Sequence, residues 1–139
     1  MSNAVQTLEN AMSLAMKIRP KVGGFPYLAE TLRAAGVINN IWSLPACQSI
    51  YITCNGNVVS QGIPIVTGMT DIPHFNRDAL IRALRRDQAG ESTFPEFLKA
   101  SWLAGVVRYE VDFEKRNVTY FGANGESYVE SYPVVELTS

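Results

Sequence analysis

The stretch Ala104-Gly105-Val106-Val107-Arg108-Tyr109-Glu110-Val111-Asp112-Phe113 decides how this chain is read. Gly105 is a natural helix stop, and from Val107 to Phe113 apolar and charged residues alternate. That alternation predicts a strand with Val107, Tyr109, Val111 and Phe113 buried and Arg108, Glu110 and Asp112 facing solvent. The same punctuation stands 69 positions earlier, at Ala35-Gly36-Val37. At that offset Phe25-Pro26 falls on Phe94-Pro95, Tyr51 on Tyr120, Asn55-Gly56 on Asn124-Gly125, and Pro64 on Pro133. A fixed period marks a repeated supersecondary unit.

Working outward, Leu8, Met12, Ala15 and Met16 form an apolar stripe that predicts a helix over about 4–19, with Pro20 following. A second helix starts at Phe25-Pro26 and stops at Gly36. In the second copy Asn76 caps a helix carrying Leu80, Ile81 and Leu84, and Thr93 with Glu96 has capping-box spacing before the next helix. Three strands follow each helix pair, at 37–44, 48–54 and 57–61 and at 107–113, 117–121 and 127–132, with an Asn-Gly turn before each third strand.

The expected fold class is therefore α+β: an internal duplication of an α-α-β-β-β unit, with antiparallel strands packed on helices about a pseudo-twofold. The whole chain, 1–139, is expected to form a single domain. Repeat 1 covers about 4–64, a connector 65–75 and repeat 2 about 76–133. Strands of the first copy are apolar on both faces (Ile38, Ile41, Trp42, Ile50, Tyr51, Ile52), which places them nearer the centre of the molecule.

Composition narrows the function classes. A net charge of −1 argues against nucleic-acid and electrostatic membrane binding. No apolar run approaches the roughly 18 residues of a membrane span, and no signal architecture opens the chain. Cys47 and Cys54 bracket one strand, which sets them about 20 Å apart, beyond disulfide reach. Free thiols point to the cytoplasm.

The segment from Ser92-Thr93-Phe94 through Leu103 to Tyr109, with Arg116 to Tyr120 and Glu130-Ser131, resembles the YdfO/YbcV-like family, a prophage-associated group often labelled "phage envelope protein". The resemblance implies a small bacterial α+β protein of unknown activity and carries over no functional residues.

Candidate chemistry is sparse. His74, the only histidine, could act as a general base oriented by Asp71 or as a metal ligand, yet Asp-x-x-His before a capped helix also reads as a turn. No Cys/His cluster accompanies it, so no metal or cofactor is expected. Cys47 and Cys54 read as small apolar fillers rather than nucleophiles. Arg77, Arg82, Arg85 and Arg86 make the third helix basic, with Asp78 and Arg82 at i,i+4 spacing; with no basic excess around them they read as a solvated helix face rather than a phosphate or nucleic-acid contact. Trp42, Tyr51, Tyr109 and Tyr120, with Tyr128, fall on strands and could line a small-molecule pocket at the seam or fill a core.

The function expected on these grounds is a non-enzymatic binding or accessory protein for a small apolar ligand or a protein partner. A hydrolase-like enzyme using His74 with Asp71 is the alternative, and a self-assembling prophage component a further one. A homodimer is among the assemblies open to it.

Overall fold

The computed structural model describes residues 3–137. Elements follow in the order α1 (Asn3–Ile18), α2 (Phe25–Ala34), β1 (Val37–Ser43), β2 (Gln48–Thr53), β3 (Val58–Gln61), α3 (Arg77–Gln88), α4 (Phe94–Leu103), β4 (Val106–Asp112), β5 (Asn117–Gly122) and β6 (Ser127–Ser131). The fold is α+β, and the helix–helix–three-strand pattern occurs twice. Local chemistry sets the helix starts. The Asn76 side chain accepts from the Ala79 amide, and Thr93 with Glu96 forms a complete capping box that encloses Pro95.

All six strands form one antiparallel sheet in the order β3-β2-β1-β4-β5-β6. The two halves join through β1 and β4, where Ile41 pairs with Glu110, Asn40 with Val111 and Trp42 with Tyr109. Ile41 and Glu110 are themselves 69 positions apart, so the seam is centred on equivalent residues. Two reciprocal hydrogen bonds flank it. The Leu44 amide donates to the Val107 carbonyl at 3.0 Å and the Phe113 amide to the Ile38 carbonyl at 3.2 Å, each group 69 positions from its counterpart. Among the described residues the two non-glycine residues with positive φ, Cys47 (48°) and Arg116 (55°), also occupy equivalent places, in the β1–β2 and β4–β5 turns.

This order corrects the expectation that first-copy strands lie centrally. Each half contributes one central strand, β1 or β4, and one edge strand, β3 or β6. The first half's second apolar face is instead an open face: Ile50 is 39% and Val59 62% exposed. Apolar residues on both faces read as a doubly buried strand in sequence, but among the described residues no layer covers that side.

The strand from Val106 follows the expected alternation with one correction. Tyr109, Val111 and Phe113 are buried, but Val107 is only partly so and Val106 is fully buried in its place. A register shift between Val106 and Arg108, repeated between Val37 and Asn39, inserts one residue and brings Val106 to the side of Tyr109. Arg108 is exposed as expected. Glu110 and Asp112 face away from the helices but are half-buried among neighbouring side chains.

Helices cover one face only. Tyr51, Tyr109, Val111, Val118 and Tyr120 meet Leu8, Leu32, Leu80, Leu84, Phe97, Leu98 and Trp102 in one core. The inner helices reach across the seam. Phe94 of α4 packs edge-on to Trp42 of β1, while on α2 Phe25 packs on Tyr132 and Glu30 lies 3.7 Å from Arg116. The loop after α1 meets the end of α3, where the Gly23 amide donates to the Gln88 carbonyl.

The copies part at their last hairpins. Tyr51 pairs with Val58, but Tyr120 pairs with Tyr128, one position later than the offset dictates. Side chains alternate along a strand, so this single residue reverses the faces of β6 relative to β3. Val59 faces the open side; its sequence equivalent, Tyr128, faces the helices.

Candidate functional site

Cross-strand registers assemble the helix-facing aromatics into one row: Trp42, Tyr109, Tyr120 and Tyr128 on β1, β4, β5 and β6. Trp42 stacks on Tyr109 with centroids 6.1 Å apart, and Tyr109 lies 5.5 Å from Tyr120. Phe94 closes the Trp42 end at 5.2 Å and is itself 44% exposed. Tyr51 belongs to the neighbouring row, behind Asn40, the residue equivalent to Tyr109. Asn40 is buried and satisfied, its amide nitrogen donating to Ser49 Oγ at 2.6 Å and to the Ile50 carbonyl at 3.1 Å. Of the four residues proposed from sequence, the fold thus joins Trp42, Tyr109 and Tyr120 and sets Tyr51 apart. Tyr51, Tyr109 and Tyr120 are buried in the core, and burial pushes each hydroxyl above the ordinary tyrosine range.

A polar cluster stands at the β6 end of the row. Glu130 accepts from Arg85 at 2.5 Å, from Tyr128 at 3.0 Å and from Gln88 at 3.4 Å. Burial raises its carboxyl, but these hydrogen bonds outweigh burial and hold it below the ordinary range. Arg77 lies over the Tyr128 ring at 5.1 Å. Two of the four α3 arginines are therefore engaged with β6, and no ion pair joins Asp78 to Arg82 among the described residues. Asp87, half-buried and hydrogen-bonded by Ser92 at 3.2 Å, is raised by burial. Glu130 and Asp87 were missed in the sequence because their inward orientation depends on the β6 register and the α3 docking angle.

His74 and Asp71 are both exposed, and no hydrogen bond or ion pair joins them among the described residues. What fixes the His74 backbone is Gly105. A Cβ there would stand 2.6 Å from the His74 carbonyl oxygen and 2.5 Å from the Phe75 Cα, at a φ of +89°. The Asn76 amide completes the strap by donating to the Ala104 carbonyl at 2.7 Å. Cys47 is partly buried and Cys54 exposed, both as free thiols. Among the described residues no group of three His, Cys, Asp or Glu side chains is placed to hold a metal, and no helix is long and apolar enough to cross a membrane.

The open face is organised as three straight rows. The middle row runs Val59, Ile50, Ile41, Glu110, Thr119, Val129 across all six strands. On one side of it lie Gln48, Ser43, Arg108 and Phe121, and on the other Ile52, Asn39, Asp112 and Asn117. Arg108 is held from two directions, donating to Glu110 at 3.2 Å and stacking 3.9 Å over Phe121. A concavity of about 260 Å³ over the second half is lined by Asn39, Glu110, Asp112, Lys115, Asn117 and their neighbours. A second, of about 380 Å³, lies between α1 and α2 near Leu137. Neither is lined by the aromatic row.

Fold and surfaces together define an α+β protein whose single sheet is covered by helices on one face and presents the other to solvent. Residues 15–131 match the family described as "Protein of unknown function (DUF1398)", and the chain belongs to that family. It is similar to uncharacterized proteins of Mycobacterium tuberculosis and Mycobacterium bovis, each 52% identical over 136 residues, covering 98% of this chain and 83% of the relative.

Proposed function

We propose that this is a non-enzymatic binding protein that docks a protein partner on the open face of its sheet. The observation that carries the reading is the apolar run Val59–Ile50–Ile41, which crosses three strands with no covering layer. Contiguous apolar surface rimmed by polar residues is costly to leave in water and marks interaction sites. The reading places the protein in the cytoplasm, in keeping with two free thiols. The prophage association implied by the sequence resemblance is carried with it as a proposal on origin and supplies no partner.

The test is site-specific photocrosslinking in cells, with the photoreactive residue at Ile50 or Val59 and a control at the exposed Met16 of α1. A discrete adduct from the sheet positions, absent from the control, is expected. No adduct from either sheet position would overturn the reading.

The small apolar ligand remains a second reading, favoured by Phe94: exposed and edge-on to Trp42, it opens onto the stacked row. A saturable change in tryptophan fluorescence on titration with a planar apolar dye, lost in Phe94→Ala, is its expected sign. Absence of saturation would remove it.

A further inference from the structure

On the reading of the open face as a docking surface, we infer that its occupant is a second copy of this chain, packed face to face about a twofold axis lying along the middle row. Such an axis places Ile41, Ile50 and Val59 against their own counterparts. It also exchanges the two flanking rows, so that Arg108 of one copy stands opposite the partner's Asp112. The surface is thus complementary to itself in charge as well as in hydrophobicity.

Shape agrees with charge. The concavity over the second half spans the middle row at Glu110, Thr119 and Val129 and reaches Asn39, Asp112 and Asn117, where the partner's Arg108 arrives. Stacking on Phe121 and the bond to Glu110 hold Arg108 in place before docking, which reduces the entropy lost on association. Glu110 and Lys115 also line the concavity, Lys115 on the Asp112 side, and Asp112 itself accepts from the Glu114 and Lys115 amides. Glu110 meets its own counterpart near the axis, and the Arg108 bonded to it in each copy offsets that repulsion.

Six strands about 4.8 Å apart and about six residues long present roughly 600 Å² per copy. The pair would bury about 1,200 Å², at the lower bound of specific interfaces.

The experiment is sedimentation velocity on the full chain over a wide concentration range, with Arg108→Asp, Asp112→Arg, the double exchange and Ile50→Asp, each first shown to keep the parent's circular dichroism spectrum and a cooperative unfolding transition. The parent should sediment at twice the 15.3 kDa chain mass. Each single charge reversal should raise the dissociation constant about tenfold or more, and the double exchange should restore it. Ile50→Asp should be monomeric, which keeps the inference testable should a charge variant fail to fold.

A parent that stays monomeric while Ile50 crosslinks to a product of another mass would overturn the second copy and leave the docking surface standing. No adduct at all would remove both. A dimer indifferent to all four variants would place the interface elsewhere and overturn this arrangement.

Discussion

Ile41 and Glu110 are equivalent residues of the two halves and pair with each other across the β1–β4 seam. A residue paired with its own counterpart lies on the pseudo-twofold, so the backbone on either side is related by symmetry. The chemistry is not: an isoleucine and a glutamate share the axial position, and the open face is apolar on one side of it and charged on the other. Symmetry organises the scaffold, and its breaking distinguishes the surfaces.

The halves should not fold apart. Phe94 packs on Trp42, Phe25 on Tyr132 and Glu30 approaches Arg116, so each inner helix spends contacts on the other half. Separate fragments of 1–70 and 71–139 are expected to lack cooperative unfolding by circular dichroism, and mixing them should restore it. Two independently cooperative fragments would refute the interlock.

Val111 lies fully enclosed at the seam, and an aspartate there would be a buried charge without a partner. Val111→Asp should cost several kcal/mol in denaturant unfolding. The bulge adds a finer check. Val106→Ala should cost about 2 kcal/mol, more than Val107→Ala, because only Val106 is fully buried. The reverse order would move the bulge.

Two carboxylates should bend the pH dependence of stability in opposite directions. Burial raises Asp87, so its contribution is fully present below the unfolded value of about 3.9 and lost as pH rises through the folded one. Glu130 is held low by Arg85, Tyr128 and Gln88 against the effect of burial. Its contribution is present above the unfolded value of about 4.3 and lost as pH falls through the folded one. In denaturant midpoints measured across pH, Asp87→Asn should flatten the decline above about pH 4, and Glu130→Gln the loss in acid. Unchanged profiles would contradict the two assignments.

Thiol titration without reductant, in denaturant and protected from air, should count two groups per chain. In the folded protein the exposed Cys54 should react ahead of the partly buried Cys47. A count of zero would overturn the free-thiol assignment.

His74→Gln should leave the thermal midpoint and the Ile50 crosslink unchanged, since His74 is exposed and acts in the fold through its backbone. Tyr120→Leu, which opens the buried row, should lower the midpoint by several degrees. Loss of the Ile50 crosslink in the histidine variant would contradict a docking surface confined to the open face of the sheet.

Local chemistry was legible in the chain. The Asn76 cap, the Thr93–Glu96 box, the strand alternation and the Asn-Gly turns each depend on residues a few positions apart, so composition and spacing suffice to read them. The 69-residue period likewise foretold that the element pattern recurs. Of the proposed site, Trp42, Tyr109 and Tyr120 do come together, but their adjacency requires β1 to pair with β4 and β4 with β5 in one particular register.

By itself, then, the sequence determined the helices, the strands and their repetition, because these follow from short-range backbone preferences and periodicity. Tertiary structure alone decided which faces those strands present. One added position in the last hairpin turns Tyr128 and Glu130 toward the helices and leaves Val59, on the other edge, toward solvent. One helix layer, with nothing among the described residues over the opposite face, leaves Ile50 partly in water although its strand is apolar enough to be buried on both sides. Long-range pairing fixes such choices: a strand carries two faces in its sequence, and only its neighbours settle which of them is covered.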